Sequence, residues 1–364
     1  MNKLPNGWTE YKLKDLCVIN YGKGLGKSNI VNGNIPVYSS GGIIGFHNTY
    51  NVNSEGVIIG RKGNAGSVFY SDKPFFCIDT AFYIEPNNQY DLKYLFYKLV
   101  SMNLKNHKTG TAVPGLIRND IYKLSISIPP LEEQKRIASA LSKIDAYLEN
   151  TIKLIEEKER FKRGIAKKLL TCKEGENIPE ARFKGFEDEW EIKTLNSISN
   201  IKKGEQKNKL DLIADGKYPV LNGGMNFSGY CNSYNREANT ITISEGGNAG
   251  YVNFIKEKFW SSGHCYTLHD LKIDKYFLYQ CLKNSEKRLM KLQLGTALKN
   301  IRQSEIVEFE LNIPKSIKEQ EKIGGYLSLL DAEIDNLKKQ KELIKEMKRG
   351  AMQKLLSGEV RLLE

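Results

Sequence analysis

Residues 131–170 read LEEQKRIASALSKIDAYLENTIKLIEEKERFKRGIAKKLL. The stretch has no Pro, and its single Gly, Gly164, falls near its end. Ile137, Leu141, Ile144, Leu148, Ile155, Ile165 and Leu169 follow one alternating spacing of four and three residues, and Thr151, Lys158 and Lys162 take the remaining places in that seam. An apolar seam that repeats every seven residues, with charge on the other faces, predicts a long helix that pairs with another helix. Pro129 and Pro130 stand just before it, where a missing N–H costs little. The pattern returns at 316–356 as SIKEQEKIGGYLSLLDAEIDNLKKQKELIKEMKRGAMQKLL, with the seam now Ile323, Leu327, Leu330, Ile334, Leu337, Ile344, Ala351 and Leu355.

Two copies of one helix prompt a search for a repeat of the whole chain. GWTEYKLKDL near the start reappears as DEWEIKTLNSI, placing Trp8 on Trp190. IPVYSSGG matches YPVLNGG, so Gly41 and Gly42 fall on Gly223 and Gly224. GNAG recurs unchanged from Gly63 and from Gly247, and KYLFYKL at 93 matches KYFLYQCL at 275. TGTAVPGLIRNDI matches LGTALKNIRQSEI (Gly110 on Gly295), EEQKRI matches KEQEKI, and KRG matches KRG. The order never breaks, and the offset drifts only from 182 residues at the tryptophans to 186 at Arg163 and Arg349. The chain is a tandem duplication.

Within each copy, short β-branched and aromatic runs bounded by Gly, Asn and Asp read as strands: GVIIGR, SVFY, AFYI and KLSISI, then TITIS, YVNF, CYTLH and VEFELNI. DLKYLFYKLVSM, and the stretch around Tyr276 to Leu289, carry helical spacing. The fold class expected is α+β. Two tandem globular domains are each followed by a long helix, and the helices pair as an antiparallel coiled coil with pseudo-twofold symmetry. The boundaries read 1–128 for the first globular domain, 129–170 for its helix, 171–187 for a polar linker, 188–312 for the second domain and 313–358 for its helix. The linker is short beside helices of roughly 60 Å, which is what favours an antiparallel pair. The two ends of the chain are then expected to meet near the first domain.

The chain has 364 residues, and 55 Lys+Arg against 43 Asp+Glu give a formal charge of +12, which favours a polyanionic partner such as nucleic acid. No apolar signal region opens the chain and no run is long enough to span a bilayer, so a cytoplasmic protein with no membrane partner is expected. The six Cys show no CxxC spacing and read as reduced thiols; His264, Cys265 and His269 lack a second Cys pair, so no metal site is expected.

No catalytic group set emerges. GKGLGKS at 22–28 falls one residue short of a phosphate-binding loop, because Tyr21 stands where its first Gly belongs, and IKKGEQKNK in the second copy has no trace of it. Ser127-Ile128-Pro129-Pro130 carries Pro-Pro but has Ile128 directly before it, where an amino-methyltransferase loop has a polar residue, and Leu131 after it, where that loop has an aromatic. Glu156-Glu157-Lys158 lies on the long helix as a solvated charged face. What remains is binding chemistry on the Gly-rich segments. In the first copy the candidates are Lys23, Lys27, Ser39, Ser40, Arg61, Lys62, Asn64, Lys108 and Arg118. In the second they are Lys202, Lys203, Lys207, Asn222, Asn226, Arg236, Asn248, Lys299, Asn300 and Arg302. Lys and Arg neutralise phosphates, while Asn, Ser and Arg read base edges. The copies differ where Arg61-Lys62 precedes GNAG in one and Glu245-Gly246 in the other, as two readers of different short sequences would.

These residues carry a resemblance. Trp8 to Leu13 and Trp190 to Leu195, the Gly-Gly turns, GxAG, the Gly-Thr-Ala before the last strand, Ile-Pro followed by E-Q-x-x-I, and the lead NIPEARFKGFEDEW together resemble the specificity subunit of type I restriction-modification systems. The resemblance implies two target-recognition domains that read the halves of a split duplex DNA target, with the paired helices as a ruler between them. It also implies two docked methyltransferase subunits and added restriction subunits as partners. S-adenosylmethionine, ATP and magnesium are then expected on those partners, with no cofactor and no catalytic residue on this chain. The competing reading is a non-enzymatic coiled-coil scaffold without sequence-specific DNA binding.

Overall fold

The computed structural model describes residues 4–108, 115–295 and 299–363, apart from the side chain of Lys27. The Gly-Thr-Ala of residues 110–112, and Thr296 and Ala297 of its repeat, lie outside the described residues. The chain forms two compact units: residues 1–152 with 339–364, and residues 153–338.

Both units are built on one plan. In the first, Thr9–Lys12 pairs antiparallel with Ser125–Ile128, bringing the start of the module to the strand that feeds the long helix. A three-stranded sheet runs Gly42–His47, Ile35–Ser39, Phe76–Cys77, and a four-stranded sheet runs Asn20–Tyr21, Ala81–Ile84, Gly56–Gly60, Val68–Ser71. In the second unit the same orders appear as Glu191–Thr194 with Glu310–Ile313, then Gly229–Cys231, Tyr218–Leu221, Trp260–Ser261, then Asn200–Lys203, Cys265–His269, Thr240–Ser244, Val252–Ile255. The central strands Gly56–Gly60 and Thr240–Ser244 are buried at every position. That is why they read as continuous apolar or β-branched runs rather than as an alternation.

The helix Leu92–Ser101 starts at Asp91, whose side chain accepts from Tyr94 N at 2.7 Å; Lys275–Asn284 starts identically at Asp274 and Phe277 N. The second copy's helix is interrupted at Ser285 and resumes as Glu286–Met290, so the single helix expected up to Leu289 is two.

The long helices span Leu131–Leu170 and Ile317–Ser357. In the first unit Asp145 meets Lys348 at 2.5 Å and Tyr147 meets Gln340, so the stretches run antiparallel. In the second, Glu159 meets Lys338 and Lys162 meets Asp331 at 2.5 Å, again antiparallel. The seam is shared between two neighbours. Ile137, Ala138 and Leu141, with Leu355 and Leu356, join the core of the first module; Ile323 and Leu327, with Ala166, Leu169 and Leu170, join that of the second. The polar seam positions are accounted for individually. Thr151 donates to Tyr147 O at 2.8 Å, Lys158 pairs with Glu333 at 2.7 Å, and Lys162 pairs with Asp331.

The E-Q pairs that open both helices are buried, and each partner has a task. Gln134 accepts from Asp91 N and donates to Pro129 O, both at 2.9 Å, tying the cap of the shorter helix to the start of the long one. Gln320 does the same with Asp274 N and Pro314 O. Glu133 takes a bidentate bond from Arg361 and Glu319 one from Arg182, each arginine lying just beyond a long helix.

Residues 171–187, read as a polar linker, are in fact packed. Cys172 bridges Pro179, and Ala181 and Phe183 lie against the second core. Arg182 also donates to Asp188 O at 2.7 Å, and Arg361 donates to Asn6 O at 2.6 Å, so the segment after the second helix lies against the start of the first module as the duplication requires.

Candidate nucleic-acid interface

Three segments converge at equivalent places in each module. In the first they are the turn at 39–42, the loop 60–66 between two strands, and residues 115–118. Gly60 N donates to Ser67 O at 2.8 Å, Gly66 N to Gly60 O at 2.8 Å, and Leu116 N to Arg61 O at 2.8 Å. A Cβ on Gly60 would lie 2.4 Å from Asn64 O and 2.8 Å from Ser40 O. In the second module Gly250 N donates to Ser244 O at 2.8 Å and Ile301 N to Glu245 O at 2.9 Å, while a Cβ on Gly223 would lie 2.8 Å from Gly246 O. Gly60 and Gly223 therefore stand where backbone crosses backbone, although the position equivalent to Gly60 in the second module is Ser244.

The last Gly of each GNAG is the most constrained. Gly66 sits at φ +83° with its Cβ position 2.5 Å from Lys105 N, and Gly250 at φ +87° with its Cβ position 2.9 Å from Met290 N. The glycine of the near-miss phosphate loop has the same kind of explanation: a Cβ on Gly22 would lie 2.0 Å from Ile78 O, as one on Gly204 would lie 2.2 Å from Ser262 O.

The candidates separate into three groups. Lys23, Lys62, Asn64 and Lys108 are exposed in the first module, as are Lys202, Lys203, Asn226, Asn248, Lys299, Asn300 and Arg302 in the second; Lys203 is tied down by Glu245, while Arg302 caps the helix before Gln303 with its backbone and makes no side-chain cap bond. A second group is spent internally. Ser39 is buried and donates to Gly42 O at 3.1 Å, and Ser40 N donates to Thr80 Oγ1 at 3.4 Å. Arg236 donates to Thr267 Oγ1, Asn235 O and Lys203 O at 2.7–2.9 Å, bracing the loop from within. The third group is half-buried and stacked: Arg61 and Arg118 over Tyr21, and Lys207 at 3.7 Å from the Trp260 ring centre. Asn222 is half-buried, and its Oδ1 is buried with no partner. Lys27 lies in a short 3-10 turn, with its side chain outside the described residues.

Sequence reasoning missed Tyr21, Trp260 and Glu245. Glu245 is buried; Oε1 accepts from Lys203 at 2.6 Å and Tyr266 at 2.9 Å, Oε2 has no hydrogen-bond partner, and His264 Nδ1 lies 3.6 Å from it. The available signal was the alternation of aromatic and basic residues around the Gly-rich loops, which is how stacked cations are built. Among the described residues, then, the loops offer exposed cations, amides and ring-backed guanidiniums on backbone braced by hydrogen bonds. That chemistry suits a polyanion with hydrogen-bonding edges.

Comparison with known proteins gives the same direction. The profile of the type I restriction modification DNA specificity domain matches residues 5–157 and again 187–346. A putative type I specificity subunit of Mycoplasma pneumoniae is 40% identical over 151 residues, which is 41% of this chain and 40% of that protein, so the match spans well under half of the relative's length. The specificity subunit of the type I restriction enzyme MjaVIII of Methanocaldococcus jannaschii is 27% identical over 342 residues, covering 85% of this chain and 80% of that one. In fold, the crystal structure of a type I restriction-modification S subunit from M. genitalium superposes with a TM-score of 0.75 over 97% of both chains at 23% identity. With its domain profile matched twice and in order, the chain belongs to the type I restriction-modification DNA specificity family.

Proposed function

We propose that this chain is the non-catalytic, sequence-reading subunit of a type I restriction-modification complex. Each module binds one half of a bipartite duplex DNA target. The observation that carries this reading is the duplicated loop set: one scaffold, repeated twice, with different side chains at equivalent places (Arg61 against Glu245). Exposed Lys23, Lys62, Lys202 and Lys299 supply phosphate contacts, which are independent of sequence.

The long helices serve as the spacer and as the dock for methyltransferase and restriction subunits in the cytoplasm. Exposed apolar side chains support the docking role: Tyr147, Leu343 and Met347 in one unit, Leu154, Phe161 and Leu329 in the other. S-adenosylmethionine, ATP and magnesium then belong to those partners. Among the described residues no helix is long and apolar enough to cross a membrane.

The decisive experiment is a genome-wide map of methylated adenines with and without the gene. Loss of one bipartite motif of fixed gap is expected. A non-enzymatic scaffold predicts an unchanged map and binding indifferent to salt. A DNA reader loses affinity steeply with salt, with a log–log slope of about −0.9 per phosphate neutralised.

A further inference from the structure

One corner of the first module gathers two arginines on one ring. The Arg61 guanidinium lies 4.9 Å and the Arg118 guanidinium 4.7 Å from the centre of Tyr21, which is 46% exposed. Arg61 also lies over Phe82 and Arg118 over Tyr122. Among the described residues neither arginine makes an ion pair. Among the same residues each guanidinium makes one hydrogen bond, Nη1 of Arg61 to Asp79 O at 3.1 Å and Nη1 of Arg118 to Ile19 O at 3.4 Å, and Arg118 Nε is buried without a partner there. Two cations are thus held against one ring with most of their donors unspent.

The equivalent corner of the second module is known residue by residue from the shared backbone bonds. Tyr21 pairs with Phe82 as Lys203 pairs with Tyr266. Leu116 N reaches Arg61 O as Ile301 N reaches Glu245 O, so Glu245 replaces Arg61. Gln303 Nε2 donates to Ile201 O at 3.1 Å, taking the place of the Arg118 bond to Ile19 O. Two guanidiniums on a tyrosine have become one lysine held by a buried carboxylate. At these three positions the excess charge is gone: Lys203 and Glu245 offset each other and Gln303 is neutral.

We infer that the Arg61–Tyr21–Arg118 corner reads a guanine in the half-site of the first module and that the second module has no guanine reader at this place; the inference rests on the DNA-reading function proposed above. Guanine offers O6 and N7 side by side in the major groove, the edge that a planar guanidinium meets with two parallel bonds. The contact with Tyr21 restrains each guanidinium before DNA arrives, which lowers the entropy lost on binding. A phosphate contact is the obvious competitor. Phosphate contacts carry no sequence information, so two modules on one scaffold have no reason to differ in them, and both keep exposed lysines on these segments. A base reader is what must change when the half-site changes.

The test is selection of bound duplexes from a randomised library by the purified full-length chain, followed by sequencing, for the wild type, Arg118→Gln, Arg61→Gln and Lys62→Gln. Arg118→Gln installs the residue that the second module already carries, and Gln303 shows that it keeps the backbone bond. Arg118→Gln and Arg61→Gln are each expected to relax a single guanine position of one half-site by roughly 5- to 150-fold, leaving the other half-site untouched. Lys62→Gln is expected to weaken binding to all sequences alike. Equal weakening of every sequence by the arginine variants, with the guanine preference intact, overturns the inference while leaving the DNA-reading function standing. A wild-type chain that enriches no sequence removes both. Unchanged melting temperatures identify loss of preference as a loss of contact rather than of folding.

Discussion

Replacing Arg182 by Ala is the sharpest test of how the second unit is held together. Glu319 is 1% exposed, and its carboxylate accepts Nε of Arg182 at 2.7 Å, Nη2 at 2.8 Å, and more distantly Trp190 Nε1 at 3.4 Å. Without Arg182 the charge stays in the core with one long bond. Two charge-assisted hydrogen bonds of about 1.5–3 kcal/mol each are lost, and breaking a buried pair by removing one partner costs about 3–5 kcal/mol in general. We therefore expect the second unit to lose roughly 3–5 kcal/mol. For a unit of this size that lowers its calorimetric transition by roughly 6–20 °C. Glu319→Gln removes the stranded charge, so the double variant should be less than additive by at least about 1 kcal/mol. A loss below about 1 kcal/mol for Arg182→Ala, or additive single effects in the cycle, would refute the reasoning, because either means that the carboxylate is not desolvated by the fold.

Three further outcomes follow from the same structure. Asp331→Ala leaves both Lys162 (side chain 14% exposed) and buried Gln280 Nε2, now 2.7 Å from Asp331, without an acceptor; urea unfolding should show a loss of roughly 2–3 kcal/mol. Gly250→Ala must combine a left-handed backbone with a close approach to Met290 N, whereas Gly247→Ala meets open space at φ +70°. Thermal unfolding should therefore show about 1–2 kcal/mol of strain for Gly247→Ala and a clearly larger fall for Gly250→Ala. The hydrogen bond from Arg361 holds the Glu133 carboxyl below its ordinary value of 4.5. A depressed folded pKa contributes stability above the unfolded pKa and loses it as pH falls through the folded one. Acid unfolding of the first unit should thus be steeper with Glu133 than in Glu133→Gln, and equal acid limbs would contradict the pairing.

The duplication, the two long helices and most strands were legible in the sequence because each is written in local order: a seven-residue seam, short β-branched runs, and motifs repeated at a near-constant offset. The family was legible for the same reason, since its mark is the order of weak motifs rather than any one of them. Even the packing of 171–187 left a trace, the NIPEARF lead, but composition alone read it as a spacer because Arg182 looks solvated until Glu319 is placed beside it.

Which loop side chains face outward together was decided only by the tertiary structure. Tyr21, Arg61 and Arg118 are distant in sequence and meet because Asn20–Tyr21 adds to the sheet edge beside Ala81–Ile84 while residue 116 is bonded back onto the 60–66 loop. Ser39 and Arg236 looked as available as Arg61, yet their polar groups complete turns and loops from inside. A side chain's type is set by the sequence. Whether its hydrogen bonds are spent on the protein or remain for a ligand depends on which backbone carbonyls the fold brings within about 3 Å, and no local pattern encodes that distance.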